Sequence, residues 1–337
     1  MDAAPPSRSR PATSSHSWGF LLVLLGGVLW GTGGLAGTFA AQHSALSWPA
    51  ISALRLVGGG VIMLAVTAVS GELWRIPRTA ESARHIALTA VLSAIYQGAY
   101  FQSVALVGVA VSTVISLGAA PVTVALAGAI RSRRMPPWGV MAALAAALVG
   151  LVLVTDAPGQ ASDAGTAALG VLLALVAGVS FAATTVVNRR EVPGLTPAAL
   201  IATSFTIAGL LAAIWGAVAG FELSSADAAA WWWIAFLAVV PTVLAYLAFF
   251  GGLQRGVPST TAAILSLVEP LTATVLAVAV LHEPLTVAAS VGIALLLLAV
   301  VLVRPSPGAP APIPVLVPDP PPKPEPGSPP RGPEPSE

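Results

Sequence analysis

Two ionisable residues sit inside apolar runs: Arg55, in Leu54-Arg55-Leu56, and Glu269, in Ser266-Leu-Val-Glu269-Pro270-Leu-Thr272. The run around Glu269 extends from about Val257 to Leu281, long enough to cross a bilayer. A charge at that depth is expensive and marks a functional position. Pro270 behind it frees a backbone carbonyl and bends or breaks the helix beside the acid. Arg55 lies eight residues past Ser47, roughly 12 Å at ~1.5 Å per residue. Glu269 lies twelve residues past Val257, roughly 18 Å into a core of ~30 Å. If the two runs cross in opposite directions, the depths agree, and both side chains are expected to face one cavity and be able to pair, with Arg55 as the partner of Glu269 or as an anchor for an anionic group. The plainer alternatives are a buried ion pair that only fixes packing, or an Arg55 that snorkels to the surface. A carboxyl balanced between desolvation and a nearby guanidinium can take up and release a proton as its surroundings change. That would couple solute movement to a proton gradient.

Other polar residues follow helical spacing. Ser93, Tyr96, Gln97, Tyr100 and Ser103 fall on one face of a helix. A polar stripe in lipid must face protein or a water-filled cavity. Tyr and Gln offer aromatic surface and hydrogen bonds to a small ligand; interhelical bonding is the equal alternative. Ser180, Thr184 and Asn188 repeat the pattern more weakly, and packing is the better reading there. Trp30, in Gly27-Val-Leu-Trp30-Gly31-Thr-Gly33-Gly34, brings an indole N–H away from the interface, where it needs a partner. It is a candidate for lining the cavity, with simple packing as the alternative. Pro121 and Pro270 are expected to make discontinuities beside the site.

The elements that must hold these residues are apolar. The 337-residue chain is 56% hydrophobic and 9% charged, against about 25% charged in soluble domains. Net charge is +1, which gives no reason to expect nucleic acid. There are no cysteines, which excludes disulfides, thiolate metal sites and thiol nucleophiles. Ten apolar segments are predicted, at about 18–41, 47–69, 85–107, 109–130, 137–155, 166–188, 197–220, 230–251, 257–281 and 285–303. At ~20 residues each, all ten are read as transmembrane helices. Of the fifteen cationic residues, all but Arg55 fall in alternate connections and the flanking ends, so the positive-inside rule places both termini in the cytoplasm. Trp231, Trp232 and Trp233 fall at the outer start of the eighth segment, where an aromatic belt belongs.

The chain also repeats itself. Gly27-Val28-Leu-Trp30 resembles Gly178-Val179-Ser-Phe181, Ala120-Pro121-Val-Thr123 resembles Glu269-Pro270-Leu-Thr272, and Pro136 matches Pro284. The shifts of about 150 residues define two five-helix repeats, 18–155 and 166–304, joined by an outer linker at 156–165. Five is odd, so the second copy enters the membrane from the other side, a plan of secondary transporters with a site near the midplane. Ala120 stands where the second copy has Glu269, so the carboxylate breaks the symmetry. Residues 1–17 read as a disordered cytoplasmic leader. Residues 305–337, with fifteen of the thirty prolines, read as a disordered cytoplasmic tail. No Gly-x4-Gly-Lys-Ser/Thr loop is present. His282-Glu283-Pro284 lacks the second histidine of a zinc-protease motif. No enzyme activity, cofactor or metal is expected.

Together these residues resemble the drug/metabolite transporter superfamily, in its EamA-like branch. The resemblance rests on Trp30-Gly31, on Arg55 between leucines, on Leu253-Gln-Arg-Gly256, on Val268-Glu269-Pro270, and on His282-Glu283-Pro284-Leu-Thr286. It covers about 18–304; the first repeat departs from it at Arg133-Arg134-Met-Pro136. It implies an all-α, ten-helix basket of two inverted repeats around a central cavity, and secondary transport, often export, of amino acids, other metabolites or drugs. The expectation is therefore a multi-pass protein of a bacterial inner membrane that moves a small-molecule substrate, with protons as the candidate coupling ion. Glu269, Arg55, Trp30, Tyr96, Gln97, Tyr100, Pro121 and Pro270 are its candidate site. The rival readings are a flippase for lipid-linked substrates, and a non-transporting scaffold that recruits partners through the Pro-rich tail.

Overall fold

Lipid offers no hydrogen bonds, so a chain this apolar has to satisfy its backbone within each segment, and helices do that. The computed structural model describes residues 13–154, 163–219, 223–281 and 286–303, and no strand occurs among them. Residues 1–12 of the expected leader, most of the expected linker, the His282-Glu283-Pro284 segment and the Pro-rich tail lie outside the described residues.

The helices are α1 (Thr13–Gln42), α2 (Trp48–Val69), α3 (Ala80–Gly108), α4 (Val111–Ser132), α5 (Trp138–Val154), α6 (Ala164–Asn188), α7 (Pro197–Ala219), α8 (Ala228–Gln254), α9 (Ser259–Val280) and α10 (Val287–Leu302). Among the described residues, eight helices are long and apolar enough to cross a membrane. The two others are α5, described over 17 residues, and α10, over 16, at the lower edge of the ~17–25 that span a bilayer. Length and composition thus account for eight of the ten expected crossings among the described residues, with α5 and α10 as shorter apolar helices.

Local chemistry sets the ends. Ser47, Thr79, Asp163, Asp227 and Thr286 cap α2, α3, α6, α8 and α10 with side-chain oxygens that accept from the first turn. The cap at Thr79 starts α3 at Ala80, earlier than the expected 85. Between α3 and α4 the chain turns on Gly108, whose φ of 85° suits glycine. Its neighbours Ser103 and Ser112 bond across that turn at 2.7 Å. In α8, Pro241 cannot donate to the preceding turn, and residues Ala238–Leu244 widen into a π-helical turn.

The packing follows the repeat. α1 lies on α8 and α9, while its counterpart α6 lies on α3 and α4; α2 packs on α7 and α5 on α10. Gly27 meets Leu265 and Ser266, and Gly178 meets Ser116 and Ala119, so equivalent glycines admit equivalent backbones. The arginines Arg75, Arg78, Arg84, Arg131, Arg133, Arg134, Arg189, Arg190 and Arg255 lie at helix ends that share one face, hereafter the basic face. There Arg190 pairs with Glu81 at 2.7 Å and Thr196 donates to Glu72 at 2.6 Å. At the opposite face, His43 Nδ1 lies 3.0 Å from Asp227 Oδ2, and the Ala45 amide donates to Ser225 Oγ at 2.9 Å. Trp233 stacks on Phe39 beside them, with ring centroids 4.8 Å apart.

Candidate functional site

Glu269 is presented by a broken helix. α9 stops after Leu265, turns through Ser266 and Leu267, and resumes at Val268. The Glu269 amide closes the turn on the Ser266 carbonyl at 3.0 Å. Pro270 falls in the first turn of the resumed helix, where a missing N–H costs little. Gly31 of α1 is pressed against this turn: a Cβ there would collide with Thr272 and with the Glu269 carbonyl oxygen. The interruption expected near Pro270 is thus present. At Pro121 it is not: α4 runs through the proline as a continuous helix. Neither proline lines the cavity described next.

Glu269 and Arg55 open onto one cavity of about 370 Å³, within the usual range of small-molecule sites, about 300–1,000 Å³. Trp30, Tyr96, Gln97 and Tyr100 also line it, so the structure brings together six of the eight candidate residues. The lining comes from the halves of α1, α2, α3, α4, α8 and α9 that lie away from the basic face.

The two charges do not touch. Among the described residues no ion pair joins Arg55 to Glu269, which corrects the expected pairing. Each faces shared space from a different wall. The Arg55 Nε and the Trp30 Nε1 are buried without a hydrogen-bond partner. An unmet buried donor costs about 1–3 kcal/mol, so the site holds donor capacity that the protein itself leaves unused.

The polar stripe on α3 is partly spent. Gln97 Nε2 donates to Ser52 Oγ at 2.7 Å, and Tyr100 Oη lies 2.8 Å from Thr113 Oγ1. Both contacts fix cavity-lining side chains. Ser103 instead ties α3 to α4. The α6 stripe is used for packing: Ser180 and Thr184 donate to their own helix, and Asn188 accepts from Thr89 at 3.2 Å and meets His85 Nε2 at 3.2 Å.

On its basic-face side the cavity ends in aromatic rings. Trp30 packs edge-on against Tyr246 and Phe181, with centroids 4.9 and 5.7 Å away, and tilts on Phe249 at 4.9 Å. Tyr96 meets Phe181 at 5.6 Å. These rings are related by the repeat: Trp30 to Phe181, and Tyr96 to Tyr246. Sequence reasoning passed over Thr38, Trp48, Ser52, Thr113 and Leu237, all of which line the cavity. Ser52 carried a signal, since it lies one turn before Arg55 on the same face of α2. The others look like ordinary packing residues in sequence.

The EamA-like transporter family profile matches residues 17–156 and 168–304, one match on each repeat. The chain belongs to the EamA-like transporter family. It is similar to the uncharacterized transporter YwfM of Bacillus subtilis (strain 168), at 33% identity over 286 residues, 82% of this chain and 90% of that protein. A solved crystal structure of a protein shares the fold, with a TM-score of 0.70 at 21% identity, over 88% of this chain and 97% of that one. This EamA-family chain is accordingly a membrane transporter with a small-molecule substrate.

Proposed function

We infer that the chain is a secondary exporter of small amphipathic organic solutes, crossing a bacterial inner membrane ten times as two inverted five-helix repeats. The observation that carries this is one cavity holding an unpaired guanidinium and an unpaired carboxyl between aromatic walls. Arg55 presents a planar fork of donors suited to a carboxylate or similar anionic group of the solute. Glu269 is the site for a proton or for a cationic group of the solute, and Tyr96, Tyr100 and Trp30 take its apolar part. Release of the solute and protonation of Glu269 are linked because both act on the same small volume. The arginines of the basic face mark the cytoplasmic side, with both termini there, so the cavity opens toward the outer half.

The test is flux of candidate metabolites in proteoliposomes under an imposed pH gradient. Glu269→Gln is expected to lower gradient-driven flux to that of empty vesicles while the protein still inserts. A variant that keeps full gradient-driven flux would remove Glu269 from the coupling.

A further inference from the structure

A second concavity, unconnected to the solute site, lies at the basic face between the end of α2 and the start of α3. Its volume is about 630 Å³. Three kinds of group meet there. Ile76, Pro77 and Ile86 give it an apolar floor. Trp74 stands at its rim, 75% exposed, with its Nε1–H donated to the Ala68 carbonyl at 3.3 Å. That bond fixes an indole at the height where α2 leaves the bilayer, the level that tryptophans favour.

The third group is cationic and hydrogen-bonding. Arg78 lines the groove, and Arg75 and Arg84 flank it in sequence. The first turn of α3 points its free amides and the positive end of its dipole at the same place. Ser82 lies within that turn, is 1% exposed, and its Oγ has no hydrogen-bond partner. Of the acidic residues nearby, Glu81 is paired with Arg190, and Glu72 accepts from the neutral Thr196 hydroxyl. Anionic oxygens entering the groove therefore meet Arg78 and the start of α3, with Arg75 and Arg84 beside them against one carboxylate, Glu72, that no cation among the described residues holds.

We propose that this groove binds an anionic phospholipid of the leaflet at the basic face, phosphate against Arg78 and the start of α3, acyl chains along the apolar floor. A free phosphate ion would use the cationic groups and ignore the floor and Trp74. A zwitterionic lipid would use the floor and gain little from Arg78. The joint presence of both surfaces selects the anionic lipid. The site stands apart from the solute cavity, so the proposal does not rest on the transport reading.

The test uses the full chain in detergent, titrated separately with short-chain phosphatidylglycerol, phosphatidylcholine and inorganic phosphate. Bound lipid is counted by native mass spectrometry and thermal unfolding is followed alongside. Phosphatidylglycerol is expected to be retained and to raise the unfolding temperature, while the other two are not. Arg78→Gln should weaken retention about fivefold, the effect of one cation near an anionic headgroup. Equal retention of phosphatidylcholine, full competition by inorganic phosphate, or undiminished phosphatidylglycerol retention in a folded Arg78→Gln protein each overturns the proposal.

Discussion

Divided at the level of Glu269, the two halves of the helix bundle are built from equivalent positions and filled differently. Away from the basic face, Gly34, Thr38, Ser52 and Arg55 line open space. The residues 150 further along are Thr184, Asn188, Ala202 and Phe205, and all four are buried on the basic-face side. Asn188 spends its amide on Thr89, His85 and the Thr184 carbonyl, where its counterpart Thr38 borders the cavity. Arg55 gives way to Phe205, and Glu269 to Ala120. The repeat supplies one backbone plan twice; side-chain volume and charge decide which copy encloses space. The charged cavity is therefore a departure from the symmetry rather than a product of it.

The sharpest challenge to that contrast uses the chain's lack of cysteine. Thr38→Cys should react with a charged, membrane-impermeant thiol reagent, and Thr184→Cys, at 3% exposure, should stay unlabelled. Equal labelling of the two would erase the distinction between open and packed halves. Next in size is Ala120→Glu, which puts a carboxyl at the position equivalent to Glu269 but in packed surroundings, 1% exposed. An unpaired buried charge is expected to cost about 3–5 kcal/mol, read as a large fall in thermal stability. Parent-like melting would mean that the packed half has room for a charge after all. Smaller still is a glycine pair. Gly178→Val should cost about 1–3 kcal/mol, because Ser116 and Ala119 already fill the space. Gly34→Ala meets nothing within 4 Å and should be neutral or stabilising by about 0.5–1 kcal/mol. Matching losses at both glycines would contradict the difference in packing.

Some of this site was legible in the sequence for clear physical reasons. Arg55 and Glu269 stand out because ionisable groups are rare in apolar runs. Tyr96, Gln97 and Tyr100 stand out because their spacing holds them on one face of α3. Thr38 and Thr113 did not, since a lone threonine in a membrane helix most often bonds its own backbone, as Thr184, Thr185 and Thr203 do here. The π-helical turn at Pro241 was hidden too: a proline in an apolar run can break, kink or widen a helix, and tertiary contacts choose among these outcomes. Pro121 and Pro270 show the same ambiguity, one absorbed in a continuous helix and one placed beside a break. The pairing of Arg55 with Glu269 was misjudged because equal depth fixes height in the membrane and says nothing about which wall each side chain leaves from. The start of α3 was set too late because Ala80-Glu-Ser-Ala-Arg reads as a loop by hydropathy, whereas the Thr79 cap makes it a helical turn.

Trp30 and Phe181 occupy matching places in the two repeats and rest against each other. A contact between matching places lies on the axis that relates the copies. An exchange of roles between the copies would carry every off-axis wall to the other side of the membrane, yet would return this contact to where it began. On the proposed transport reading, a solute would pass the same rings whichever side it came from. On that reading bulk would be judged once, at a common threshold, and charge where only one copy supplies it.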